Sequence, residues 1–150
     1  MAGVEINNNL FQINLPLGWE DQTVYVFRGP MEDGRDHNLM LMVDRHLQYD
    51  DVSAYARERM QPIIDALQGV ETLKEEEITL EGGNPVYEYV YKWVPCDGYI
   101  AFQRYVFIFK NGMGFTFSIG YSKKTLKLLN SQVNKIIETL LPGTFEPLEE

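Results

Sequence analysis

Apolar and polar residues alternate along most of this chain, and the alternation predicts a protein rich in β-strands. A strand sends successive side chains to opposite faces of a sheet, so a period of two marks a strand with a defined inner face. The pattern predicts strands at 7–15, 23–28, 38–45, 72–80, 86–93, 99–109 and 114–121. Short turns separate them, and Asn111-Gly112 is the strongest hairpin signal. We therefore expect a mainly antiparallel sheet of six to seven strands.

Two segments have helical spacing instead. In the segment 52–67 the apolar positions are Val52, Tyr55, Ala56, Met60, Ile63, Ile64 and Leu67, and in 122–140 they are Leu126, Leu129, Val133, Ile136, Ile137 and Leu140. Pro62 lies inside the first segment and predicts either a kink or a split there. The order of elements predicts one α+β domain over residues 1–150, with both long helices packed mostly on one face of the sheet.

The strand at 86–93 carries an unusual row of aromatic residues. Tyr87, Tyr89, Tyr91 and Trp93 alternate with other residues and therefore share one face. Two helices on one face would leave the other face of such an apolar sheet uncovered. Because a tyrosine hydroxyl needs water or a partner, we expect these four side chains to contact a dimer mate or another protein. Packing in a core beneath a helix is the alternative.

Charge and composition narrow the class of protein. The 150 residues carry a net charge of −9, with a pI near 4.7, which disfavours nucleic acid and anionic membrane surfaces as partners. The chain has one cysteine, which fits a reducing compartment. The N-terminus lacks the basic and apolar regions of a secretory signal, and no apolar run reaches the roughly 20 residues of a membrane helix. We expect a cytoplasmic protein.

Residues suited to catalysis or metal binding are sparse. Neither His37 nor His46 has a second ligand at zinc-site spacing, and no phosphate-binding glycine loop or G-x-S-x-G motif occurs. Cys96 is the one candidate nucleophile, although a lone cysteine in a turn is usually an ordinary thiol. We therefore expect no catalytic residue, no metal and no cofactor. An enzyme that uses Cys96 remains a competing hypothesis.

Two polar residues, Gln103 and Arg104, interrupt the long apolar strand at 99–109. One interpretation is structural, with these residues at an edge or rim of the sheet, or as a partner for Glu88 on a neighbouring strand. The other is a polar anchor inside an apolar groove, which would give orientation and selectivity to a binding site. The alternation of the strand places Gln103 and Tyr105 on the same face.

The block LFQINLPLGWEDQTVYVF, residues 10–27, resembles the opening of the DcrB-like domain. The resemblance extends through the strand at 38–45, the helix at 52–67, the strand around 103–107 and the last helix. Because the chain shows no signal and no lipidated cysteine near its start, it is most similar to the effector-associated (Eag) chaperones of bacterial type VI secretion.

That resemblance implies a PsbP-like α+β fold, a homodimer and a non-enzymatic role. Such chaperones shield the apolar N-terminal transmembrane segments of a secreted toxin and help load it onto the secretion spike. Val24 and Val26 fall on the strand that lines the client groove in the family, and Gln103 and Tyr105 lie on a second candidate strand. The main alternative is a protein-binding module of the same fold with a different partner.

Overall fold

The structure is a computed structural model that describes residues 4–7, 10–32, 34–45, 47–79, 85–96, 98–110 and 112–140. Within these residues the strands are β1 (Val4–Asn7), β2 (Gln12–Leu15), β3 (Val24–Arg28), β4 (Asn38–Asp44), β5 (Glu71–Thr79), β6 (Pro85–Cys96), β7 (Tyr99–Lys110) and β8 (Met113–Tyr121). The helices are α1 (Val52–Ala66) and α2 (Lys123–Glu138). The turn predicted at 82–85 lies mostly outside the described residues.

Six of the strands form one antiparallel sheet in the order β3-β4-β8-β7-β6-β5. The α+β class and the antiparallel sheet are therefore confirmed. The strand predicted at 7–15 is shorter than expected, because only 12–15 forms β2, and it pairs with β1 in a separate two-stranded sheet. This leaves β3 and β5 as the two edges of the main sheet.

The two faces of the sheet are defined by strand register. Val26, Met40, Ser118, Tyr105 and Tyr89 lie side by side across β3, β4, β8, β7 and β6, and therefore share one face. We call it the α1 face, because α1 packs against β6 and β7 there. The opposite face, which α2 covers over β7 and β8, is the α2 face.

Each face has its own buried core. On the α2 face the buried residues are Leu39, Val86, Val106, Ile108, Phe115, Phe117, Ile119, Tyr121, Leu129, Val133 and Ile137. On the α1 face they are Val52, Tyr55, Ala56, Met60, Tyr87, Tyr89, Tyr91 and Phe107. The expectation that both helices pack mostly on one face is therefore wrong. Because this sheet is apolar on both faces, one helix on each face buries more of its apolar surface than two helices on the same face would.

Helix α1 passes through Pro62 without dividing, so the helix is not split there. Pro62 is exposed on the helix surface. Water can therefore reach the backbone carbonyl that loses its hydrogen bond to a proline in a helix interior. The helix begins at Asp51, whose side chain accepts a hydrogen bond from the Ser53 N–H.

Helix α2 begins with a reciprocal capping arrangement that carries a testable prediction. The Ser122 hydroxyl accepts from the Thr125 N–H at 3.2 Å, and the Thr125 hydroxyl accepts from the Ser122 N–H at 2.8 Å. Ser122→Ala is expected to lower the free energy of unfolding by about 1 kcal/mol, because it leaves helical N–H groups without partners. Urea denaturation measures this. Ser131→Ala, at an exposed site inside the same helix, is the matched control and should change little.

Candidate functional site

A groove on the α1 face is floored by the small residues of β8. Gly114, Thr116, Ser118 and Gly120 point to this face, whereas the larger Phe115, Phe117, Ile119 and Tyr121 point to the other. Leu47 and Tyr55 lie over Gly114, and the Gln103 amide bonds Ser118 and lies over Gly120, so Ser118 and Thr116 are almost fully buried. The small residues of β8 lower the middle of this face, and the side chains that lie over them form the bottom of the groove.

The walls of the groove come from β3 and β4 on one side and from β7 on the other. Met40 and Met42 on β4 are half-buried, and Val24 and Val26 stand beside them on β3. Three strand spacings separate β3 from β7, which is roughly 14 Å. An α-helix with its side chains is about 10–12 Å across. The backbone spacing from β3 to β7 is therefore slightly larger than the diameter of one helix, and the side chains of Met40 and Met42 stand within that span.

The two valines on β3 are open to solvent. Val24 is 44% exposed and Val26 is 57% exposed, although both are apolar and both belong to a regular strand. Helix α1 packs mainly over β6 and β7, and its Tyr55 and Arg59 contact β4 at Asp44, so both valines stay exposed. The structure thus places the two predicted groove valines on an uncovered part of the sheet.

Gln103 lies across the groove from the valines. Its side-chain Nε2 donates a hydrogen bond to the Ser118 hydroxyl at 2.8 Å. A Cβ placed on Gly120 would come within 3.0 Å of the Gln103 Oε1, so the amide lies directly over that glycine. Because Ser118 fixes the nitrogen end, the carbonyl end is the part of this amide that can accept a further hydrogen bond.

Tyr105 stands between the groove and the core under α1. It is half-buried and stacks on Tyr91 at 6.2 Å and on Phe107 at 6.1 Å between ring centroids. These contacts hold the ring in one orientation at the wall of the groove. The four predicted groove residues Val24, Val26, Gln103 and Tyr105 therefore share one face of the sheet, and the register brings them to opposite sides of one depression.

The structure corrects the prediction that the aromatic row of β6 contacts a dimer mate or another protein. Tyr87, Tyr89 and Tyr91 are 4%, 8% and 2% exposed, because α1 lies over them, and Trp93 is half-buried beside them. A partner cannot reach these side chains while α1 is in place, so they form core.

The edge strand β5 supplies hydrogen-bond partners for two hydroxyl groups of this row, those of Tyr87 and Tyr89. The Tyr87 hydroxyl donates to Glu75 at 2.7 Å, and the hydroxyls of Tyr89 and Thr72 share a hydrogen bond of 2.9 Å. Burial, followed by the bond to Glu75, raises the pKa of Tyr87. A tyrosine row can therefore lie in a core when a polar strand borders it.

Arg104 points to the α2 face and is not part of the groove. Its Nε donates to Glu88 at 2.7 Å and its terminal nitrogens reach Glu88 at 2.6 Å and Asn130 at 3.0 Å. Lys74 contacts the other carboxylate oxygen of Glu88 at 2.8 Å. The structural interpretation of Arg104 as the partner of Glu88 is therefore confirmed.

Glu88 makes stability depend on pH. Burial by itself raises the pKa of Glu88, but the hydrogen bond from Lys74 and the charge of Arg104 outweigh it and hold the pKa below its usual range. The ion pair therefore stabilises the fold at neutral pH, and that contribution is lost as pH falls from the ordinary glutamate range through the lowered pKa.

Glu88→Gln is expected to flatten this part of the acid dependence. Thermal unfolding of the wild type and the variant between neutral pH and pH values below the usual glutamate range measures the difference between their slopes. Asp21 and Asp51 also have lowered pKa values, and both proteins share them. Parallel slopes for the two proteins would show that Glu88 does not titrate with a lowered pKa.

The residues considered for catalysis, Cys96 and His37, have different environments. Cys96 is exposed at the end of β6, and His37 is buried beside the α2 face. His46 lies outside the described residues. Among the residues that the structure describes, no cluster of His, Cys, Asp and Glu is placed to hold a metal ion. In the same residues, no helix has the length and apolar character needed to cross a membrane.

The groove floor was missed by sequence analysis. Gly114, Thr116, Ser118 and Gly120 are ordinary small residues, and only their regular alternation with large ones marks them. Met40 and Met42 were also missed, although methionine adapts readily to varied apolar surfaces. A search for strands with one small and one large face would have found β8.

The fold and the groove define a small α+β sheet protein with an apolar depression on one face. The DcrB family model matches residues 11–139, and the chain belongs to the DcrB family. No functionally curated protein matches the chain.

Solved structures with the same fold include two that cover nearly the whole chain. A crystal structure of PA94 from Pseudomonas aeruginosa, a protein of unknown function, has a TM-score of 0.74 at 17% identity and covers 97% of this chain and 100% of its own. The solution structure of cyanobacterial PsbP (CyanoP) from Synechocystis sp. PCC 6803 has a TM-score of 0.58 at 15% identity and covers 93% and 92%. The expected PsbP-like fold is therefore confirmed.

Proposed function

We propose that this protein is a non-enzymatic chaperone of bacterial type VI secretion. In this proposal it acts in the cytoplasm, shields the apolar N-terminal transmembrane segments of a secreted effector, and helps load that effector onto the secretion spike. It works as a homodimer and needs no cofactor. Membership of the DcrB family supports the proposal, since the Eag chaperones that the sequence resembles share this domain.

The observation that carries the proposal is the uncovered groove on the α1 face. Val24 and Val26 expose apolar surface on a regular strand, beside the low middle of the face, where the Gln103 amide lies over the small residues of β8. Contiguous apolar surface on a protein with this much net charge marks a binding site. Each leucine or phenylalanine of a client helix that becomes fully buried there contributes about 1.5–3 kcal/mol.

The polar groups of the groove fit a client helix that is not uniformly apolar. The Gln103 carbonyl oxygen can accept a hydrogen bond from a serine, threonine or asparagine of the client. A buried hydroxyl without a partner would cost about 1–3 kcal/mol. The groove therefore favours transmembrane segments with a polar residue in register over purely apolar ones.

The proposal is tested by co-expression with the product of the adjacent gene. If that product is an effector with N-terminal apolar segments, we expect the two proteins to co-purify, and we expect deletion of those segments to abolish the complex. Co-purification that survives the deletion would favour the alternative, a protein-binding module of the same fold with another partner. Rapid labelling of Cys96 at neutral pH would instead revive the enzyme hypothesis.

A further inference from the structure

The outer edge of β3 is the least protected part of the main sheet. β3 pairs with β4 on one side, and in the described residues no strand pairs with it on the other. Its apolar side chains are exposed on both faces, with Tyr25 at 46% and Phe27 at 52% on the α2 face. A client helix in the groove would cover only the Val24 and Val26 side of the strand. The exposure of Tyr25 and Phe27 therefore needs a separate explanation.

The opposite edge shows what a protected edge looks like in this protein. β5 exposes a row of charged side chains: Glu71, Lys74, Glu75, Glu76 and Glu77. Charges of this kind keep an edge strand from pairing with another chain. β3 carries one charge, Arg28, at its end. The two edges therefore differ, and β3 is the one open to a further strand.

The backbone groups that point outward from β3 can be identified. The Gly29 N–H donates to the His37 carbonyl at 2.6 Å, so Gly29 and His37 form a hydrogen-bonded pair with β4. Hydrogen-bonded pairs alternate along an antiparallel ladder, and the register of β3 with β4 is unbroken. The N–H and C=O groups of Val24, Val26 and Arg28 therefore face away from the sheet.

The sequence of β3 is compatible with itself across a twofold axis. In an antiparallel pair centred on Val26, Val26 meets its own copy and Val24 meets Arg28, which uses the outward-facing groups identified above. Tyr25 then lies opposite Phe27, and aromatic pairs of this kind stabilise a ladder. The two Arg28 side chains lie at opposite ends, so no like charges meet. Isologous contacts require this self-complementarity.

Net charge also favours this edge for self-association. Two copies that each carry −9 repel one another, so a stable contact needs a surface poor in acidic side chains. β3 contains none, whereas β5 has four glutamates. We propose that a second copy of this chain pairs with β3 along its outer edge and makes one continuous antiparallel sheet. This inference takes only the dimeric state from the proposed function. The side chains of Val24 and Val26 meet the partner strand on their outer side and still border the groove on the side toward β4.

Sedimentation velocity of two variants at one position tests the proposal. Arg28→Pro removes an outward N–H without removing a bond to β4, and edge strands tolerate proline there. By twofold symmetry it removes two hydrogen bonds from each dimer. We expect self-association at least tenfold weaker, a loss of about 1.4 kcal/mol or more. Arg28→Ala keeps the N–H and should remain dimeric. Equal dimerisation of both variants, or a monomeric wild type, would overturn the proposal.

Amide hydrogen exchange on the unmodified chain gives a second readout that does not depend on a variant folding. We expect the Val24, Val26 and Arg28 amides to be protected at concentrations where the protein is a dimer, and to lose that protection on dilution. Protection that appears only with an effector present would assign the edge to an extended client segment and reject the second copy. Loss of client capture by a wild-type dimer would count against the proposed function alone, since dimerisation does not require a client.

Discussion

Glu88→Met is expected to lower the free energy of unfolding by about 3–5 kcal/mol, the range found when one partner of a buried ion pair is removed. Arg104 is 6% exposed, and without the carboxylate its guanidinium keeps the bond to Asn130 but loses both contacts to Glu88. A buried guanidinium that has lost its carboxylate partner is penalised by desolvation, and the methionine side chain offers no replacement partner. Unfolding in guanidinium chloride, followed by circular dichroism, measures the loss of unfolding free energy. That loss is a large fraction of the stability of a typical domain.

Two further variants separate this effect from a general loss of charge. Lys74 also bonds Glu88, but its side chain is 48% exposed, so Lys74→Met is expected to change the free energy of unfolding by about 0–1 kcal/mol. The double variant Glu88→Met with Arg104→Met removes both buried charges and should recover most of the lost stability. Equal losses for Glu88→Met and Lys74→Met would contradict the account of Arg104.

Val24→Asp is expected to weaken client capture at least tenfold while leaving the fold intact. Val24 is already 44% exposed, so an aspartate is hydrated in the free protein. A client helix over the groove would remove that water, and an unpaired carboxylate in an apolar contact is strongly disfavoured. A tenfold loss corresponds to about 1.4 kcal/mol, which is less than the free-energy cost of burying an unpaired carboxylate.

The assay uses a defined probe and a control on the opposite face of the sheet. A soluble reporter with an N-terminal run of about 20 apolar residues is synthesised in a membrane-free translation mixture, and the fraction that stays soluble with the protein is measured. Leu128→Asp lies on helix α2, at the opposite face of the sheet, and replaces a side chain that is 50% exposed, so it should capture the reporter as the wild type does. Equal losses for both variants would assign the effect to the added charge rather than to the groove.

Strand positions and face alternation could be predicted from the sequence because they are local properties. The alternation in 86–93 correctly separates Tyr87, Tyr89 and Tyr91 from Val86 and Glu88. The alternation does not show which helix packs on each face of the sheet. An amphipathic helix shows that it has one apolar side, but its pattern is the same whichever face of the sheet it covers.

That missing information explains the error over the tyrosine row. Tyr87 and Tyr89 looked suited to a wet interface because their hydroxyls need partners. Those partners, Glu75 and Thr72, come from a strand more than ten residues earlier in the chain. Only the pairing of β5 with β6 brings them together, and no local pattern predicts that contact.

The groove was half predictable for a similar reason. Val24, Val26, Gln103 and Tyr105 were selected by resemblance and by alternation, and the register places all four on one face. The depression between them depends on β8 lying between β4 and β7, which is a matter of topology. Ser118 and Gly120 acquire their place in the floor from that order of strands alone.

The most direct test of the groove is the shielding of single thiols by the client. In a Cys96→Ser background, Val26→Cys and Phe27→Cys place adjacent thiols on opposite faces of β3, at positions 57% and 52% exposed. The rate of maleimide labelling is measured with and without the apolar reporter. The account predicts that the reporter slows labelling at position 26 and leaves position 27 unchanged. Slower labelling at position 27 with no change at position 26 would contradict it.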